Sequence, residues 1–372
     1  MNILHLTNHL NHGGISSYVY TLALEMKRHG HESSVLTSEG SLAGRFQEAN
    51  IPIYSSRLPR TKSEIDPRLY LYLPHICDFI KQRGFDILHV HTRVGQVVAG
   101  WIKLLTGIPY VTTCHGFCKN RLGRRLFPAW GNHVIAVSDA LKKLLTDKFS
   151  LKNNNVTTIF NGIDIESLQT QMRLKNRDAI RRNWEIPPSR SIIISTVSRI
   201  VPVKGHEVLL RSMNQLVRRY PNLHLIISGE GPSKKRVEKI THELHLDGNV
   251  TFTGPLEDIT ETMAVTDIFA SPILWGEAFG LSIAEAMALK IPVITTTSWE
   301  LKDFYKDRDS VLLVKPGDVI GLARALEDLV INESLRRSLA ANAYNIVKNK
   351  FSAKVMGTKI EKLYKRIIYY RA

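Results

Sequence analysis

The apolar positions of the chain follow two alternating periods. Residues 2–6, "NILHL", form a short apolar run that predicts a strand, and "ISSYVYTLALEMKRHG" has the spacing of an amphipathic helix that ends at Gly30. "ESSVLTS" then predicts a second strand. A strand, a glycine-rich turn, a helix and another strand make the repeating unit of a parallel, doubly wound sheet.

The same alternation recurs in two blocks of the sequence. In the first block the further predicted strands are "FDILHVHT", "IPYVTTCHG", "HVIAVS" and "VTTIFNGID". A polar, charged stretch ending in "IPPSR" follows. From Ile192 six more strands are predicted: "IIISTVS", "LHLIISG", "VTFTG", "DIFASP", "IPVITT" and "SVLLVKPGD". Amphipathic helices separate them, and "SAKVMGTKIEKLYKRIIYYRA" predicts a last helix.

We therefore predict the fold class α/β, with two Rossmann-like doubly wound domains facing across a cleft. The predicted domain boundaries are 1–165 for an N-terminal domain, 166–190 for a linker and 191–350 for a C-terminal domain. Residues 351–372 should form a C-terminal helix that packs back on the N-terminal domain. A cleft between two domains is the expected ligand site.

The charge of the chain indicates which classes of partner it can bind. The net charge is +16, and residues 1–160 carry 19 Lys and Arg against 10 Asp and Glu. A basic surface suits polyanions, which include nucleic acid, an anionic membrane and phosphorylated substrates. No apolar run approaches the roughly 18–20 residues of a membrane span, and the N-terminus lacks the pattern of a signal peptide. Three cysteines is an odd number without framework spacing, so we expect a cytoplasmic protein.

The segment "CHGFC" places Cys114 and Cys118 on either side of His115. A metal site here would need a fourth ligand at usable spacing, which the sequence does not offer. The two cysteines are therefore expected to act as small buried hydrophobes, and no metal site is predicted.

Two carboxylates, Glu277 and Glu285, flank a glycine after the predicted strand "DIFASP". Gly280 makes one helix through both improbable, so Glu277 should lie in a loop at the carboxyl end of the strand, where open sheets bind ligands. Glu285 should lie in the first turns of the next helix. We expect the amides of Gly280, Leu281 and Ser282 to be free donors for a phosphate, and carboxylates accept bonds from sugar hydroxyls. A solvent-exposed glutamate and a helix-dipole glutamate explain the spacing equally well.

A second feature is "VSRIVPVKGHEVLL", where Arg199 follows a predicted strand and Lys204 lies just before a helix. Both cations should project from the carboxyl end of the strand, where two positive charges can neutralise a diphosphate. A phosphoryl leaving group needs this neutralisation because negative charge grows on it as the bond breaks. A solvated loop with two ordinary basic residues is the alternative.

Glycine turns and histidines end other strands. Gly13 and Gly14 lie between a strand and a helix, where backbone can approach a ligand closely, although a tight turn explains them equally well. The pattern is neither the dinucleotide fingerprint nor a P-loop. His91 and His115 each follow a strand, and "SGEGP" is another turn of close approach.

Taken together and in this order, these motifs resemble the glycosyltransferase family 4 type of retaining, sugar-nucleotide-dependent transferase with two Rossmann-like domains, the GT-B fold. The resemblance runs nearly end to end, through the Gly-Gly loop, "HTR", "TCHG", "FNGID", "SRIVPVKG", "SGEGP" and "EAFGLSIAEAMALKIPVI". The last of these matches the family's E-x7-E element, which is specific, whereas the Gly-Gly loop is not.

The resemblance implies roles for matching residues. Glu277 would contact the hydroxyls of the donor sugar, and Glu285 would contact the ribose. Arg199 and Lys204 would hold the diphosphate, and Gly254 in "FTGPL" would lie near the base.

The family also implies backbone contacts. The amides at Phe279, Gly280 and Leu281 would assist in holding the diphosphate. Gly14 would line the cleft from the first domain, and His115 would lie near the donor sugar.

The sequence departs from the family at two places. Lys290 occupies a turn where the family usually has glycine, and "TSWE" replaces the usual Gly-Gly-x-Glu. Glu300 is retained. The loop that contains it is therefore expected to bind the donor phosphate or sugar differently.

The implied activity is transfer of a hexose or N-acetylhexosamine from a nucleoside-diphosphate sugar to a hydroxyl of a saccharide or lipid-linked acceptor, in cell-envelope glycan synthesis of the lipopolysaccharide type. A UDP-sugar is the favoured donor, a GDP-sugar is the second choice, and no further cofactor is expected. Two alternatives stay open. A sugar-nucleotide epimerase would need additional acid and base groups around the hexose, and a non-enzymatic polyanion-binding protein would explain the charge without a nucleic-acid motif.

Residues 1–160 carry +9 of the net charge of +16, the denser part of the basic surplus, and we assign this part to the acceptor side. Cations beside aromatic rings suit the surface of an anionic membrane, so we predict peripheral attachment to the inner face of the cytoplasmic membrane and no nucleic-acid partner. A solvated basic loop is the alternative. The two stretches concerned are "RLPRTKSEIDPRLYLY" and "KNRLGRRLFPAW", the second with Lys119, Arg121, Arg124, Arg125, Phe127 and Trp130.

Overall fold

The structure, a computed structural model, describes residues 1–38, 40–55, 66–118, 122–189, 192–297 and 304–369. The chain folds into two compact units. Unit 1 is Met1–Gly162 together with Ala353–Ala372, and unit 2 is Ile163–Ser352. Each is an α/β unit with a parallel sheet, as the alternating pattern predicts, and the last helix belongs to unit 1 as expected.

In its described residues, unit 1 has a seven-stranded parallel sheet of order β3-β2-β1-β4-β5-β6-β7. The strands are β1 (Asn2–Leu6), β2 (Glu32–Thr37), β3 (Ile53–Ser55), β4 (Ile87–Val90), β5 (Tyr110–Cys114), β6 (His133–Ala136) and β7 (Val156–Thr158). The helices are α1 (Gly14–Arg28), α2 (Ala43–Glu48), α3 (Arg68–Leu71), α4 (Leu73–Arg83), α5 (Arg93–Thr106), α6 (Leu122–Leu126), α7 (Asp139–Phe149) and the last helix of the chain, α16 (Ala353–Tyr369).

The two faces of this sheet are covered by different helices. Side chains alternate between the faces of a strand, so neighbours in β1 enter different cores. Ile3 packs in the core that also holds Tyr18 of α1 and Tyr364 of α16. Leu4 packs in the core that holds Ile76 of α4 and residues of α5. Both faces are buried, which explains why the strands read as nearly continuous apolar runs.

Unit 2 has, in its described residues, a six-stranded parallel sheet of order β10-β9-β8-β11-β12-β13. The six strands predicted from Ile192 onward are all present: β8 (Ile192–Val197), β9 (Leu223–Ser228), β10 (Val250–Gly254), β11 (Ile268–Ser271), β12 (Val293–Thr296) and β13 (Leu312–Val314). The helices are α8 (Ile165–Arg173), α9 (Arg177–Asn183), α10 (His206–Leu216), α11 (Lys234–Glu243), α12 (Thr260–Val265), α13 (Leu281–Ala288), α14 (Val319–Ile331) and α15 (Glu333–Ile346).

Residues 166–190, which the sequence suggests as a linker, contain most of α8 and all of α9. Both helices have side-chain N-caps. Asp164 accepts a hydrogen bond from Ser167 N, and Asn176 accepts one from Ala179 N. Their composition is polar because these helices contain no fully buried residue. In the described ranges, no helix combines the length and the apolarity that crossing a bilayer requires.

Candidate functional site

The sheet of unit 2 has a topological switch point between β8 and β11. The chain runs outward from β8 through β9 to β10, and then returns to β11 and runs the other way to β13. At such a point the two loops that follow the central strands diverge and leave a crevice, and open α/β sheets bind ligands there. The loops that follow β8 and β11 are those that carry Lys204 and Glu277.

Lys204 and Glu277 meet at this switch point. The Lys204 ammonium forms an ion pair with Glu277 Oε2, although 73 residues separate the two in the chain. The Lys204 side chain is 24% exposed and that of Glu277 is 18% exposed, so both reach solvent. The structure thus joins one predicted cation with one predicted carboxylate.

The backbone brings the two loops into register. Leu274 N donates to Val203 O at 2.8 Å, which ties the loop after β11 to the loop after β8. Gly205 has a φ of +72° and approaches the other loop so closely that a Cβ atom would lie 2.0 Å from Pro272 O. A side chain at position 205 would therefore push the loops apart and separate Lys204 from Glu277.

Glu277 also binds the start of α13. Its Oε1 accepts a hydrogen bond from Gly280 N at 3.1 Å, and Gly280 has the left-handed φ of +80° that favours glycine. The expectation that the Gly280 amide is a free donor is therefore wrong in this structure, because Glu277 already occupies it. The first bond within the helix runs from Ala284 N to Gly280 O, so the amide of Leu281 precedes the hydrogen-bonded ladder.

Other predicted residues of this region differ in exposure. Phe279 is 2% exposed and packs its ring 5.2 Å from that of Phe351, so the residue as a whole is closed to solvent in this structure. Glu285 lies on α13 and is half-buried. Arg199 lies two residues beyond β8 and is exposed.

The glycine turns of unit 2 lie close to backbone carbonyls of another loop of the same unit. A Cβ atom on Gly229 would lie 2.0 Å from Ser198 O, and one on Gly231 would lie 2.2 Å from Ile200 O. The close approach in "SGEGP" therefore shapes the loop that carries Arg199. Gly254 ends β10 with a φ of +73°, and its carbonyl accepts a bond from Gly229 N at 2.8 Å.

Two side chains near this site gave no sequence signal. Tyr305 is 4% exposed and its hydroxyl has no hydrogen-bond partner in the described residues. Burial and then the charge of Glu277 raise the pKa of Tyr305. His206 bonds to Ser198 Oγ at 3.2 Å, and burial lowers the pKa of His206 to about 4. Neither belongs to a recognisable motif, so only the fold brings them here.

Lys290, one of the departures, takes the turn conformation that its position requires. Its φ is +58°, in the region that favours glycine, and its ammonium lies 4.9 Å from the centre of the Tyr344 ring. A cation–π contact of this kind contributes about 0.5–1 kcal/mol at exposed sites and offsets part of the backbone strain. Glu300 and the rest of "TSWE" after Thr297 lie outside the described residues.

Gly14 and His115 belong to unit 1, whose sheet has its own switch point between β1 and β4. Gly14 is the first residue of α1, and Gly13 before it has open space where a side chain would be. His115 follows β5, and its Nε2 lies 3.2 Å from His91 Nδ1. The Tyr18 ring of α1 meets the His115 ring edge-on at 4.7 Å. Burial lowers the pKa of His115 to about 3, so the ring is neutral at physiological pH.

The arrangement in unit 2 suits a diphosphate bound to a hydroxyl-rich group. An ammonium and the N-terminus of α13 both favour negative charge, and a carboxylate beside them accepts bonds from hydroxyls. Lys204 and Glu277 are held in contact by loops that the backbone fixes, which lowers the entropy lost when a ligand binds.

Two family profiles match the sequence. Residues 12–167 match the profile described as Glycosyltransferase Family 4, and residues 176–346 match Glycosyl transferases group 1. N-acetyl-alpha-D-glucosaminyl L-malate synthase of Bacillus anthracis is 24% identical over 370 residues, which span 95% of this chain and 93% of that protein. Phosphatidyl-myo-inositol mannosyltransferase of Mycolicibacterium smegmatis is 24% identical over 371 residues, with 95% and 90% covered.

A crystal structure with the same fold is that of Anabaena Alr3699/HepE in complex with UDP and glucose. The two superpose with a TM-score of 0.82 at 20% identity, over 98% of this chain and 99% of that chain. The two profiles divide the chain as its two units do and together cover most of it. The chain belongs to the GT-B glycosyltransferases of the family 4 and group 1 type.

Proposed function

We propose that this glycosyltransferase moves a hexose or N-acetylhexosamine, with retention of anomeric configuration, from a nucleoside-diphosphate sugar to a hydroxyl of a saccharide or lipid-linked acceptor. The observation that carries the proposal is the contact of Lys204 with Glu277 at the switch point of unit 2. A UDP-sugar is the favoured donor, since a protein of the same fold has been crystallised with UDP and glucose. A GDP-sugar remains the second choice.

In the proposed donor site, neighbouring groups of the protein each bind a different part of the donor. Lys204 and Arg199 neutralise the diphosphate, with help from the amide of Leu281, since Glu277 already holds that of Gly280. Glu277 accepts bonds from the sugar hydroxyls. When the diphosphate arrives it replaces the ion-pair partner of Lys204, which frees the carboxylate to turn toward the sugar.

The remaining contacts of the proposed site are at its ends. Glu285 accepts bonds from the ribose, and Gly254 lies near the base. Gly14 and His115 act from unit 1, where His115 contacts the donor sugar through a neutral imidazole.

Bond breaking follows from this charge distribution. As the bond between the anomeric carbon and the diphosphate oxygen breaks, negative charge grows on the diphosphate, and the cations stabilise it most at that moment. The acceptor hydroxyl attacks the same face that the diphosphate leaves. Its proton passes to an oxygen of the leaving phosphate, so the step needs no covalent enzyme nucleophile.

The test is a reaction with a panel of UDP- and GDP-sugars and acceptors from cell-envelope glycan synthesis, with the product analysed by NMR. The proposal expects a nucleoside diphosphate to be released and an anomeric configuration equal to that of the donor. An inverted product contradicts the proposed mechanism. Epimerised donor in the absence of any acceptor favours the epimerase, and salt-sensitive binding of polyanions without donor binding favours a non-enzymatic protein.

We also propose that the acceptor is anchored in a membrane and that unit 1 attaches to its anionic surface. One relative, phosphatidyl-myo-inositol mannosyltransferase, is named for a lipid acceptor. Residues 92–130 of this chain contain six Lys and Arg and no Asp or Glu. Each basic residue near an anionic leaflet gains about 1 kcal/mol.

The apolar part of this surface comes from three elements of unit 1. The ring of Tyr70 lies 6.2 Å from that of Trp101, and the ring of Phe127 stacks on Trp101 at 5.7 Å. Leu104 and Leu105 follow Trp101 by one helical turn and are 69% and 56% exposed. We call this set the aromatic–leucine face; its members are Tyr70, Leu71, Trp101, Leu104, Leu105, Leu126 and Phe127.

The basic loop contributes less to this surface than its sequence suggests. Arg124 is 9% exposed, stacks on the Trp130 ring at 4.7 Å and bonds to Gln96. Trp130 is equally buried. The expectation that both contact a membrane is therefore wrong, whereas Arg125 is exposed beside the aromatic–leucine face. Lys119, Arg121 and residues 57–65 of the other basic stretch lie outside the described residues.

Sedimentation with vesicles tests the attachment. Wild-type protein should bind vesicles that contain anionic lipid at low salt and release at high salt, because the Debye length falls from about 10 Å at 0.1 M to 3 Å at 1 M. Leu104→Glu with Leu126→Glu should abolish binding. Ile320→Glu with Ile331→Glu, a change of two residues of unit 2 that are 57% and 65% exposed, should leave binding unchanged. Equal binding by both variants contradicts the assignment of the face.

A further inference from the structure

A stripe of polar side chains crosses the buried sheet of unit 1. His5 and His89 are paired in neighbouring strands, and both are fully buried. Side chains two residues apart share a face of a strand, so His91 continues the line of His89, and His115 continues that of Thr113. Five polar side chains therefore share the face that α1 and α16 cover, a place where apolar residues are the rule.

Three contacts join part of this stripe into one chain of rings. Ser33 Oγ lies 3.1 Å from His5 Nε2, and His5 Nδ1 lies 3.2 Å from His91 Nε2. His91 Nδ1 in turn lies 3.2 Å from His115 Nε2. We call Ser33, His5, His91 and His115 the histidine chain. It leads from the interior of the sheet to the residue that is proposed to contact the donor sugar.

All three imidazoles of the histidine chain are neutral. Burial lowers the pKa of His5 and that of His115 to about 3, and burial with the neighbouring histidines lowers the pKa of His91 well below its ordinary value. A neutral imidazole carries one proton, so one nitrogen donates and the other accepts. Each contact between two rings needs one donor and one acceptor.

Only two arrangements of protons satisfy both ring–ring contacts. If His5 carries its proton on Nδ1, His91 accepts at Nε2 and must carry its own proton on Nδ1. His115 then accepts from His91 at Nε2 and must likewise carry its proton on Nδ1. If His115 donates from Nε2, His91 and His5 must also carry their protons on Nε2, and Ser33 Oγ accepts. The three rings therefore always carry their protons on the same nitrogen.

A metal is the competing explanation for buried histidines. His5, His89 and His91 place ring nitrogens within 4.8 Å of one another, close enough to ligate one ion. Both nitrogens of His89, however, bond to hydroxyls, Nδ1 to Tyr364 and Nε2 to Thr113 at 2.6 Å. Both nitrogens of His5 and of His91 are also engaged. Because protein partners satisfy every ring nitrogen of the three, hydrogen bonding explains the cluster without an ion.

We propose that His5 and His91 are positioning residues that tie the tautomer of His115 to their own, so that the histidine chain sets whether His115 Nδ1 donates to, or accepts from, the donor sugar. The proposal rests on the proposed contact of His115 with that sugar. A hydroxyl meets a donor and an acceptor with different orientations of its O–H group, so a ring that changed tautomer would bind the sugar in two ways.

The direct test is nitrogen-15 NMR of the histidine rings in full-length protein without donor. The expected result is that His5, His91 and His115 are neutral and carry their protons on the same nitrogen, with signals assigned by the loss of one set in each single variant. Rings with protons on different nitrogens overturn the proposal. A stoichiometric metal ion in protein as purified, which EDTA removes together with a change of these signals, also overturns it.

Ser33→Ala tests transmission along the histidine chain with little loss of volume. Without the hydroxyl, His5 Nε2 has no partner, and a buried N–H without a partner is rarer in proteins than an unfilled acceptor. In the variant, His5 should therefore carry its proton on Nδ1 and leave Nε2 as the unfilled acceptor. Because the three rings carry their protons on the same nitrogen, His115 should then carry its proton on Nδ1, although it lies three contacts away from position 33. Protons on Nε2 of His115 in the folded variant contradict the proposal.

Activity supplies the second readout. His91→Leu should lower kcat/KM for the donor on the order of 10- to 100-fold, by analogy with residues that orient metal-ligating histidines. His91→Asn keeps an amide near the position of Nδ1 and should recover most of that loss. His133→Leu is the control, since His133 is a buried histidine of the same sheet that bonds to Thr157 instead.

The two readouts separate the two proposals. If His115 changes tautomer in His91→Leu while kcat/KM does not, the proposed contact of His115 with the sugar fails and the histidine chain stands. If the wild-type rings carry their protons on Nε2 and His115 keeps its proton on Nε2 in folded His91→Leu, the histidine chain is refuted whatever the activity.

Discussion

Replacing Lys204 by methionine separates the chemical role of this residue from its structural one. Methionine keeps the unbranched side chain and removes the charge. If Lys204 stabilises the leaving diphosphate, its loss should raise the barrier by about 2.7–4 kcal/mol, the range for a lost charge-stabilising donor. Transfer should then fall about 100- to 1,000-fold, since 1.36 kcal/mol corresponds to a factor of ten.

The fold should lose far less. The ion pair of Lys204 with Glu277 is partly exposed, and such pairs contribute about 0.2–1 kcal/mol. The change does not leave Glu277 as a buried charge without a partner, because Glu277 reaches solvent and keeps its bond from Gly280 N. The expected loss of unfolding free energy is therefore about 1 kcal/mol or less, which urea denaturation measures alongside the transfer rate.

A matched pair elsewhere in unit 2 provides the control. Lys175 contacts Asp258 at 2.8 Å, with 24% and 28% of the two side chains exposed. Lys175→Met should lower stability by a similar amount and leave transfer within about twofold of wild type. Near-normal turnover by folded Lys204→Met refutes the assignment of Lys204. A loss of several kcal/mol of stability in Lys204→Met alone shows that the residue acts mainly on the fold.

Four further predictions concern other parts of the chain. Glu285→Ala should weaken binding of free UDP, measured by calorimetry, and unchanged affinity removes Glu285 from the ribose role. Tyr305→Phe should raise KM for the donor while keeping the melting temperature, because the hydroxyl that it deletes has no partner in the described protein; an unchanged KM excludes a donor contact. The Lys365 ammonium, with His31 and His29, lowers the pKa of Glu361 to about 2, so the stability that this carboxylate contributes is present above about pH 4.5 and is lost as pH falls toward 2. In Glu361→Gln the free energy of unfolding should fall less between about pH 4.5 and pH 2 than it does in wild type, and an identical fall in the two proteins contradicts the reasoning. The Cys114 thiol, with Arg124 and Arg93, lowers the pKa of Cys118 to about 6, so iodoacetamide at pH 7 should modify Cys118 before Cys77, as peptide mass analysis would show.

Much of the fold follows from the spacing of apolar residues. Most of the strands β8 to β13 lie in apolar runs separated by helical patterns, and parallel sheets with both faces covered produce such runs. β3 (Ile53–Ser55) and α2 were not predicted because each is short and only partly apolar, whereas β13, as short as β3, lies within the apolar run "VLLV". In 166–190 the helices α8 and α9 were missed because none of their residues is fully buried and their half-buried apolar residues, such as Leu168, Met172 and Ile180, stand among many polar ones.

The site shows a similar division. Lys204 and Glu277 could be placed near each other from sequence because both follow strands at the carboxyl edge of a parallel sheet. The capture of the Gly280 amide by Glu277 could not, since it depends on the path of one loop. Tyr305 and the histidine chain depend on which strands become neighbours. β1 pairs with β4 across more than 80 residues, and no local pattern specifies that pairing.

Calorimetry with UDP, GDP and ADP on wild-type protein and on Lys204→Met tests the central claim most directly. The account predicts one site per chain on wild-type protein, with UDP bound most tightly, and a loss of affinity of at least tenfold in Lys204→Met with unit 2 still folded. Absence of binding by any of the three nucleotides at millimolar concentration, or equal affinity in the two proteins, would contradict a nucleotide-sugar site at the switch point of unit 2.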